Sequence, residues 1–290
     1  IVSTKKLCIH FTQIYIIYVL LFCLSLYLYN KYKKGDFTSK INPLLAGSGL
    51  ILGYLASLRP TYIFAIIPFL IYKKIKFASF VAVGLLASVI ISTFIFRMPV
   101  WENYYNSMQQ QAEMRLDDTQ DSKTHDFSMA EGIDVRDFLS VVGEESSLQR
   151  MFRAAFDKWY PSEVFMLLLF IFLSALIIFL HKHKTQKITS QELFFIGIAI
   201  VLFSEFFIPA PRWPYANVIW LIPLAFIISR LKDIKTTPLV VGSYVIALIG
   251  LLSNLGFYLI PRFTFFGDVG IPFAILLFMI AMIKQKKEIT

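Results

Sequence analysis

Residues 162–180 read SEVFMLLLFIFLSALIIFL, an apolar run whose only charged residue, Glu163, lies in its first turn. The run is close to the length of about 20 residues that a helix needs to cross the hydrocarbon core of a bilayer. Similar runs recur through the 290 residues, of which 57% are hydrophobic and 16% are charged. A soluble domain carries about 25% charged residues. The composition excludes an ordinary soluble enzyme and a disordered chain, and it predicts an all-α polytopic integral membrane protein.

Nine apolar runs predict nine membrane helices in a single membrane domain, residues 1–290. They lie at about 7–29, 43–58, 60–72, 78–97, 162–180, 192–209, 214–229, 238–258 and 269–283. Runs 43–58 and 60–72 are short, because a helix that rises about 1.5 Å per residue does not cross a core about 30 Å thick with so few residues. We interpret this pair as a helical hairpin that is broken at Arg59 and Pro60.

The distribution of basic residues predicts how the chain is oriented in the membrane. Sixteen of the 28 Lys and Arg residues lie in five short loops, 31–40, 73–76, 182–187, 230–235 and 284–287. Basic residues accumulate in cytoplasmic loops, so we expect the C-terminus in the cytoplasm and Arg59 on the extracytoplasmic side. The expected location is the plasma membrane, which is the inner membrane in a bacterium. Residue 1 would then lie outside, and we expect a further segment upstream of it.

Residues 98–161 form one long polar loop, which this topology places on the extracytoplasmic side. Two sets of apolar residues recur in it at helical spacing, namely Trp101, Tyr104, Tyr105, Met108 and Ala112, and then Leu148, Phe152, Ala155 and Trp159. Such stripes are typical of helices that lie in the membrane interface. The alternative is a small subdomain that packs on itself.

Two ionisable residues, Arg59 and Glu205, have apolar neighbours in the sequence and are candidates for function, because charges at membrane depth are rare and costly. Arg59 lies at the predicted helix break, where its guanidinium could bind a phosphate through two parallel hydrogen bonds. Alternatively, it lies at headgroup level or pairs with a carboxylate. Glu205 could act as a base, pair with Arg59 or Arg212, or be a surface acid.

Three prolines between residues 209 and 214 predict a rigid outer turn. This turn presents Arg212, Trp213 and Tyr215 toward the membrane interface. Aromatic rings beside a cation could stack on a sugar and hold an anion. The alternative is an ordinary belt of aromatic residues with an arginine that extends to the headgroups.

Gly49 and Gly53 form a GxxxG pair, a pattern that usually marks a face of close helix packing. The sequence contains no motif of a nucleotide-binding loop, a metalloprotease or a serine hydrolase. We therefore expect no metal, no cofactor and no nucleic-acid partner.

The stretch GYLASLRPT at residues 53–61, followed by an apolar run and the basic residues of 73–76, resembles a short element of glycosyltransferase family 87. That element is a leucine, a lysine or arginine and a proline, with basic residues after the next helix. Residues 209–223, where Arg212 and Trp213 lead into an apolar helix, resemble the late outer turn of the same family. The resemblance covers residues 7–283. The family consists of GT-C-type membrane enzymes that take a sugar, often mannose, from a polyprenyl phosphate.

The resemblance implies a glycosyltransferase that moves a hexose to a lipid-linked or envelope glycan acceptor outside the cytoplasm. Arg59 and Arg212 would bind the donor phosphate, with Trp213 and Tyr215 beside the sugar. The presumed base of the family is an aspartate in the first outer loop, which we expect upstream of this chain, so Glu205 is the candidate base within it. The histidine that often follows the tryptophan of the late turn is absent here.

Other functions are consistent with the same sequence. A transporter or flippase of lipid-linked glycans would also span the membrane, and a glycan polymerase or ligase would share the large outer loop and the outer arginines. A purely structural scaffold would not need Arg59 at a helix break.

Overall fold

The computed structural model describes residues 2–34, 42–96, 160–208, 218–230, 234–255 and 264–287, with positions 102, 103, 106, 148, 149, 152 and 156 between them. These residues are 89% helical and form no strand. The prediction of an all-α chain is therefore confirmed for this part of the molecule.

The helices follow one another along the chain as the apolar runs do. They are α1 (Val2–Lys34), α2 (Pro43–Leu58), a 3₁₀ helix (Pro60–Ile66), α3 (Ile67–Ile71), α4 (Ile75–Phe96), α5 (Ser162–Lys182), α6 (Ser190–Phe207), α7 (Leu221–Ser229), α8 (Pro238–Leu255) and α9 (Thr264–Lys287). Helices α1, α4, α5, α6 and α9 each contain an apolar stretch that is long enough to cross a membrane. These five helices indicate a membrane-spanning protein. The shorter apolar helices cover residues 43–58, 60–71, 218–229 and 238–253, so the count of nine crossings stays a prediction.

The break between α2 and the 3₁₀ helix lies where the sequence predicts it. Arg59 has an extended backbone, with φ −140° and ψ 100°, because a proline disfavours the helical conformation of the residue before it. The Arg59 N–H still donates to the Leu55 carbonyl at 2.9 Å, and the Tyr62 N–H donates to the Arg59 carbonyl at 3.0 Å. The prediction of an ordinary helix after Pro60 needs correction, because the first seven residues form a 3₁₀ helix, which is longer per residue than an α-helix.

Close packing of α2 on α4 depends on glycine. A Cβ atom added at Gly49 would lie 2.5 Å from the Cβ of Phe80, and one at Gly84 would lie 2.5 Å from the Leu50 carbonyl oxygen. A Cβ at Gly53 would likewise meet the backbone of α4 within 3.0 Å. The prediction of a close-packing face at Gly49 and Gly53 is confirmed.

Helix α6 is the central helix of the described bundle. Of its membrane-spanning stretch 78% is buried, against 17% for α4 and 22% for α5. It packs against α1, the 3₁₀ helix, α3, α5, α7 and α9. Its two acidic residues, Glu192 and Glu205, lie near its opposite ends and are both buried. The fold therefore surrounds two carboxylates with protein.

An aromatic cluster joins α6 to α1, α3 and α4. The ring of Phe194 lies 5.5 Å from Phe22, 5.6 Å from Tyr29, 5.1 Å from Phe69 and 5.8 Å from Phe77, measured between centroids. Such separations are favourable for edge-to-face and tilted ring pairs. The cluster fixes α1, α3 and α4 against the helix that carries the two carboxylates.

Of the loop at 98–161, the structure describes only a few positions. Among the stripe residues, Leu148 and Phe152 are described and both are helical, whereas the others lie outside the described residues. The Phe152 ring lies 5.7 Å from Phe165 of α5, and the Gln149 side chain donates to the Tyr160 carbonyl at 2.8 Å. This end of the loop contacts the start of α5, and both the interfacial helices and the self-packing subdomain stay predictions.

Candidate functional site

Arg59 and Glu205 form an ion pair between the helix break and the end of α6. The Arg59 Nε atom lies 2.6 Å from the Glu205 Oε1 atom, and the two side chains are 19% and 5% exposed. A pair so shielded from water depends on complete hydrogen bonding to offset its desolvation. Of the alternatives that the sequence leaves open, the structure selects the pairing of these two residues.

The same Glu205 oxygen also accepts a hydrogen bond from the residue that follows Pro60. The Thr61 hydroxyl donates to Glu205 Oε1 at 2.8 Å. One oxygen atom thus accepts hydrogen bonds from the residues immediately before and after Pro60. Hydrogen bonds to an ionised carboxylate are stronger than neutral ones, so Glu205 holds the corner between α2 and the 3₁₀ helix in one geometry.

Tyrosines of α1 cover the guanidinium. The Arg59 Cζ atom lies 5.1 Å from the centre of the Tyr15 ring, within the range of a cation–π interaction. The Tyr15 ring contacts Tyr18 at 5.5 Å, and Tyr18 contacts Tyr62 of the 3₁₀ helix at 6.4 Å. The sequence analysis missed this pair of tyrosines, although the spacing of residues 15 and 18 on one helical face is a signal that could have indicated it.

The pair is incompletely satisfied. The Arg59 Nη1, the Glu205 Oε2 and the Tyr62 hydroxyl are buried and make no hydrogen bond within the described parts of the chain. A buried polar group without a partner costs about 1–3 kcal/mol, and native proteins contain few of them. Two donors and one carboxylate oxygen are therefore left without a partner in the described part of the site.

The other predicted site residues, Arg212, Trp213 and Tyr215, belong to residues 209–217, which lie outside the described residues. This segment follows directly on α6, whose last turn carries Glu205. Their expected roles at the site stay predictions.

The opposite end of α6 carries a second buried carboxylate with a different set of partners. Glu192 and Thr189 form a capping box, in which the Thr189 N–H donates to Glu192 Oε2 at 2.7 Å. The Lys286 Nζ lies 2.5 Å from the same oxygen, and the Arg230 Nη2 lies 3.9 Å from Oε1. Both oxygens of this carboxylate have partners.

The contacts at the Glu192 end join segments that adjoin the basic loops. The Tyr72 hydroxyl donates to the His183 carbonyl at 3.3 Å. The Gln285 side chain donates to the Lys235 carbonyl at 2.7 Å and accepts from its N–H at 3.1 Å. Since α6 rises about 1.5 Å per residue, this end lies about 20 Å along the helix from Glu205. The lysine-rich segments and the Arg59–Glu205 pair are therefore at opposite ends of the bundle.

Comparisons of this chain with models of protein families, with curated proteins and with solved structures found no match. The resemblance to glycosyltransferase family 87 therefore depends on the two sequence stretches alone, and it stays a prediction.

Proposed function

We propose that the chain is a membrane glycosyltransferase that moves a hexose, with mannose the sugar that the sequence resemblance favours, from a polyprenyl phosphate to a lipid-linked or envelope glycan. The observation that carries this proposal is the buried guanidinium of Arg59, which is held through Nε while Nη1 has no partner among the described residues. An arginine fixed in this way presents its remaining N–H groups to an oxyanion in a set direction.

The position of Arg59 along the bundle suits a lipid phosphate. From Pro43 to Leu58 helix α2 rises about 24 Å, at about 1.5 Å per residue. In an upright helix that begins at one boundary of a core about 30 Å thick, Arg59 lies close to the other boundary. A polyprenyl phosphate keeps its apolar chain in the core and its phosphate at that boundary, where Arg59 can reach it.

The proposed reaction is the attack of an acceptor hydroxyl on the anomeric carbon of the donor sugar. The bond between that carbon and the phosphate oxygen breaks, and the phosphate leaves with the bonding electrons. Arg59, with Arg212 as the predicted second cation, stabilises the negative charge that develops on the leaving group. A carboxylate accepts the proton of the acceptor hydroxyl.

The two hydrogen bonds at its Oε1 support a positioning role for Glu205 rather than the role of base. This oxygen accepts from Arg59 and Thr61, so it is occupied by the groups that set the direction of the guanidinium. The Oε2 atom has no partner in the described part of the site, and the base role can therefore be tested separately.

We further propose nine membrane crossings, with the Arg59–Glu205 end on the extracytoplasmic side of the plasma membrane. The clustering of the basic segments at the Glu192 end supports this orientation, because basic residues favour the cytoplasmic side. The predicted outer turn at residues 209–215 would lie on the same side as Arg59, where a lipid-linked acceptor could enter.

Transfer by the purified full-length protein in liposomes tests the proposal. With a panel of polyprenyl-phosphate sugars and glycolipid acceptors, Arg59→Ala should reduce transfer at least about 100-fold, as removal of a donor to a developing oxyanion does. Lys182→Ala, which removes a cation from an exposed position at the end of α5, should leave transfer unchanged. Comparable transfer by both variants would contradict the proposal.

The products of the same assay separate the rival functions. One sugar added to the acceptor, with release of the polyprenyl phosphate, supports the transferase. Movement of the intact donor across the bilayer indicates a flippase, and transfer of a glycan block indicates a polymerase or ligase. Helix α6 carries no ionisable residue between Glu192 and Glu205, which disfavours a charged path along its length.

A further inference from the structure

The Tyr62 side chain is buried completely, yet its hydroxyl has no hydrogen-bond partner among the residues that the structure describes. Its ring packs between Tyr18 at 6.4 Å and Phe22 at 6.2 Å. A tyrosine hydroxyl usually finds a partner when it is buried. Ring packing explains the phenyl group at this position, but it does not explain the oxygen.

The backbone places Tyr62 one turn beyond the helix break. Its N–H donates to the Arg59 carbonyl at 3.0 Å. The Tyr62 ring lies 6.4 Å from Tyr18, and the Arg59 Cζ atom lies 5.1 Å from the ring of Tyr15, which contacts Tyr18. Tyr62 and the guanidinium are therefore next to the same pair of tyrosines, and Glu205 holds the corner that carries both residues.

We propose that the Tyr62 hydroxyl is a second ligand of the oxyanion that Arg59 binds, and thus a substrate-binding residue of the proposed glycosyltransferase. The inference rests on the proposed function. A phosphodiester, such as a polyprenyl-phosphate sugar, has two non-bridging oxygens, and each can accept a hydrogen bond from one of the two donor groups. Arg59 contributes charge to this site, and Tyr62 contributes a neutral donor whose direction is fixed by its packed ring.

The variant Tyr62→Phe separates binding from stability, because it retains the ring and removes only the oxygen. A hydroxyl that lacks a partner without ligand does not stabilise the fold, so the melting temperature of the ligand-free variant should be unchanged or higher. The KM for the donor should rise about tenfold or more, as expected for a lost hydrogen bond to a charged group. Binding of a short-chain prenyl phosphate, measured without acceptor, should weaken by the same factor.

Tyr244→Phe is the matched control. The Tyr244 hydroxyl of α8 is also buried without a partner among the described residues, and its ring packs on Phe278 at 6.0 Å. The same chemical change there should alter neither binding of the prenyl phosphate nor transfer.

The outcomes distinguish this inference from the function on which it rests. Unchanged prenyl-phosphate binding in Tyr62→Phe, together with lost binding in Arg59→Ala, would overturn the role of Tyr62 and leave the proposed function in place. A clear fall in the melting temperature of Tyr62→Phe would also overturn it, since the hydroxyl would then be part of the fold. Full transfer by Arg59→Ala would overturn the proposed function itself.

Discussion

The two ends of α6 each bury a glutamate, and the two carboxylates differ in how completely they are bonded. The Glu192 Oε2 atom binds the Thr189 backbone N–H and the Lys286 ammonium, and Arg230 lies near the Oε1 atom. Glu205 has two partners on one oxygen and none, among the described residues, on the other. Both lie on one helix and both face cations from distant parts of the chain, so the difference is in hydrogen bonding and not in burial or charge.

This difference suggests a division of roles between the two ends of α6, in which the Glu192 end stabilises the fold and the Glu205 end binds substrate. A fully bonded polar network rigidifies a structure, whereas a partly bonded one is expensive to keep without a ligand. The Glu192 carboxylate is closer to the first description, since Oε2 is hydrogen-bonded and a cation lies 3.9 Å from Oε1, although Gln186 Oε1 in the loop before α6 is buried without a hydrogen-bond partner among the described residues. The Glu205 end meets the second, and its unpaired atoms are those that a phosphate and a hydroxyl could use. Three substitutions test the division.

The largest effect is expected at the Glu192 end, and it should be an effect on stability. Glu192→Ala removes the Glu192 half of the capping box, its bond to the Thr189 N–H, and takes the carboxylate away from the Lys286 ammonium, so the free energy of unfolding should fall by about 3 kcal/mol. Thermal unfolding in detergent measures the loss. Transfer per folded molecule should stay the same, and a folded variant without transfer would break the division between the two ends.

The second prediction concerns the role of Glu205. If it positions Arg59, Glu205→Gln, which keeps an acceptor but removes the charge, should raise the KM for the donor about tenfold. The pH profile of kcat should then keep its shape. If Glu205 is the base instead, kcat should fall at least about 100-fold and the acidic limb of the profile should disappear. Glu163→Gln, an exposed carboxylate at the start of α5, is the control and should have no effect.

The smallest effect is expected at Thr61. Thr61→Val removes one hydrogen bond to Glu205 Oε1, a loss of about 1 kcal/mol, and should reduce kcat/KM for the donor about fivefold. Thr61→Ser keeps the hydroxyl and should retain most of the activity. Full activity in Thr61→Val, together with a loss in Thr61→Ser, would show that the methyl group matters at this position and that the hydroxyl does not.

Much of the fold was readable from the sequence because the signals for it are local. The run at 162–180 predicts α5 (Ser162–Lys182) to within two residues at its end, and Pro60 predicts the break after Leu58. The GxxxG spacing predicts the packing face of α2. The 3₁₀ geometry after Pro60 was missed, because apolar composition does not distinguish it from an α-helix.

The candidate site was only partly readable, since its contacts connect distant parts of the chain. The sequence suggests Arg59 and Glu205 separately, but it offers several partners for each, and only the packing of the 3₁₀ helix on α6 decides between them. The tyrosines of α1 could not be assigned to this site from periodicity, which indicates a face but not its neighbour. One part of the Glu192 network had a local signal in the sequence, since Thr189 and Glu192 have the spacing of a capping box. The sequence analysis missed this signal.

The glycine contacts of α2 have a consequence for genetic screens. Gly53 of α2 lies six residues, about 1.7 turns, before Arg59, which caps the end of that helix, with no space for a methyl group between Gly53 and α4. An alanine there would push the two helices apart and carry the guanidinium away from its carboxylate. Inactive clones with changes at Gly53 or Gly84 would therefore report a displaced arginine, although neither glycine takes any part in the chemistry.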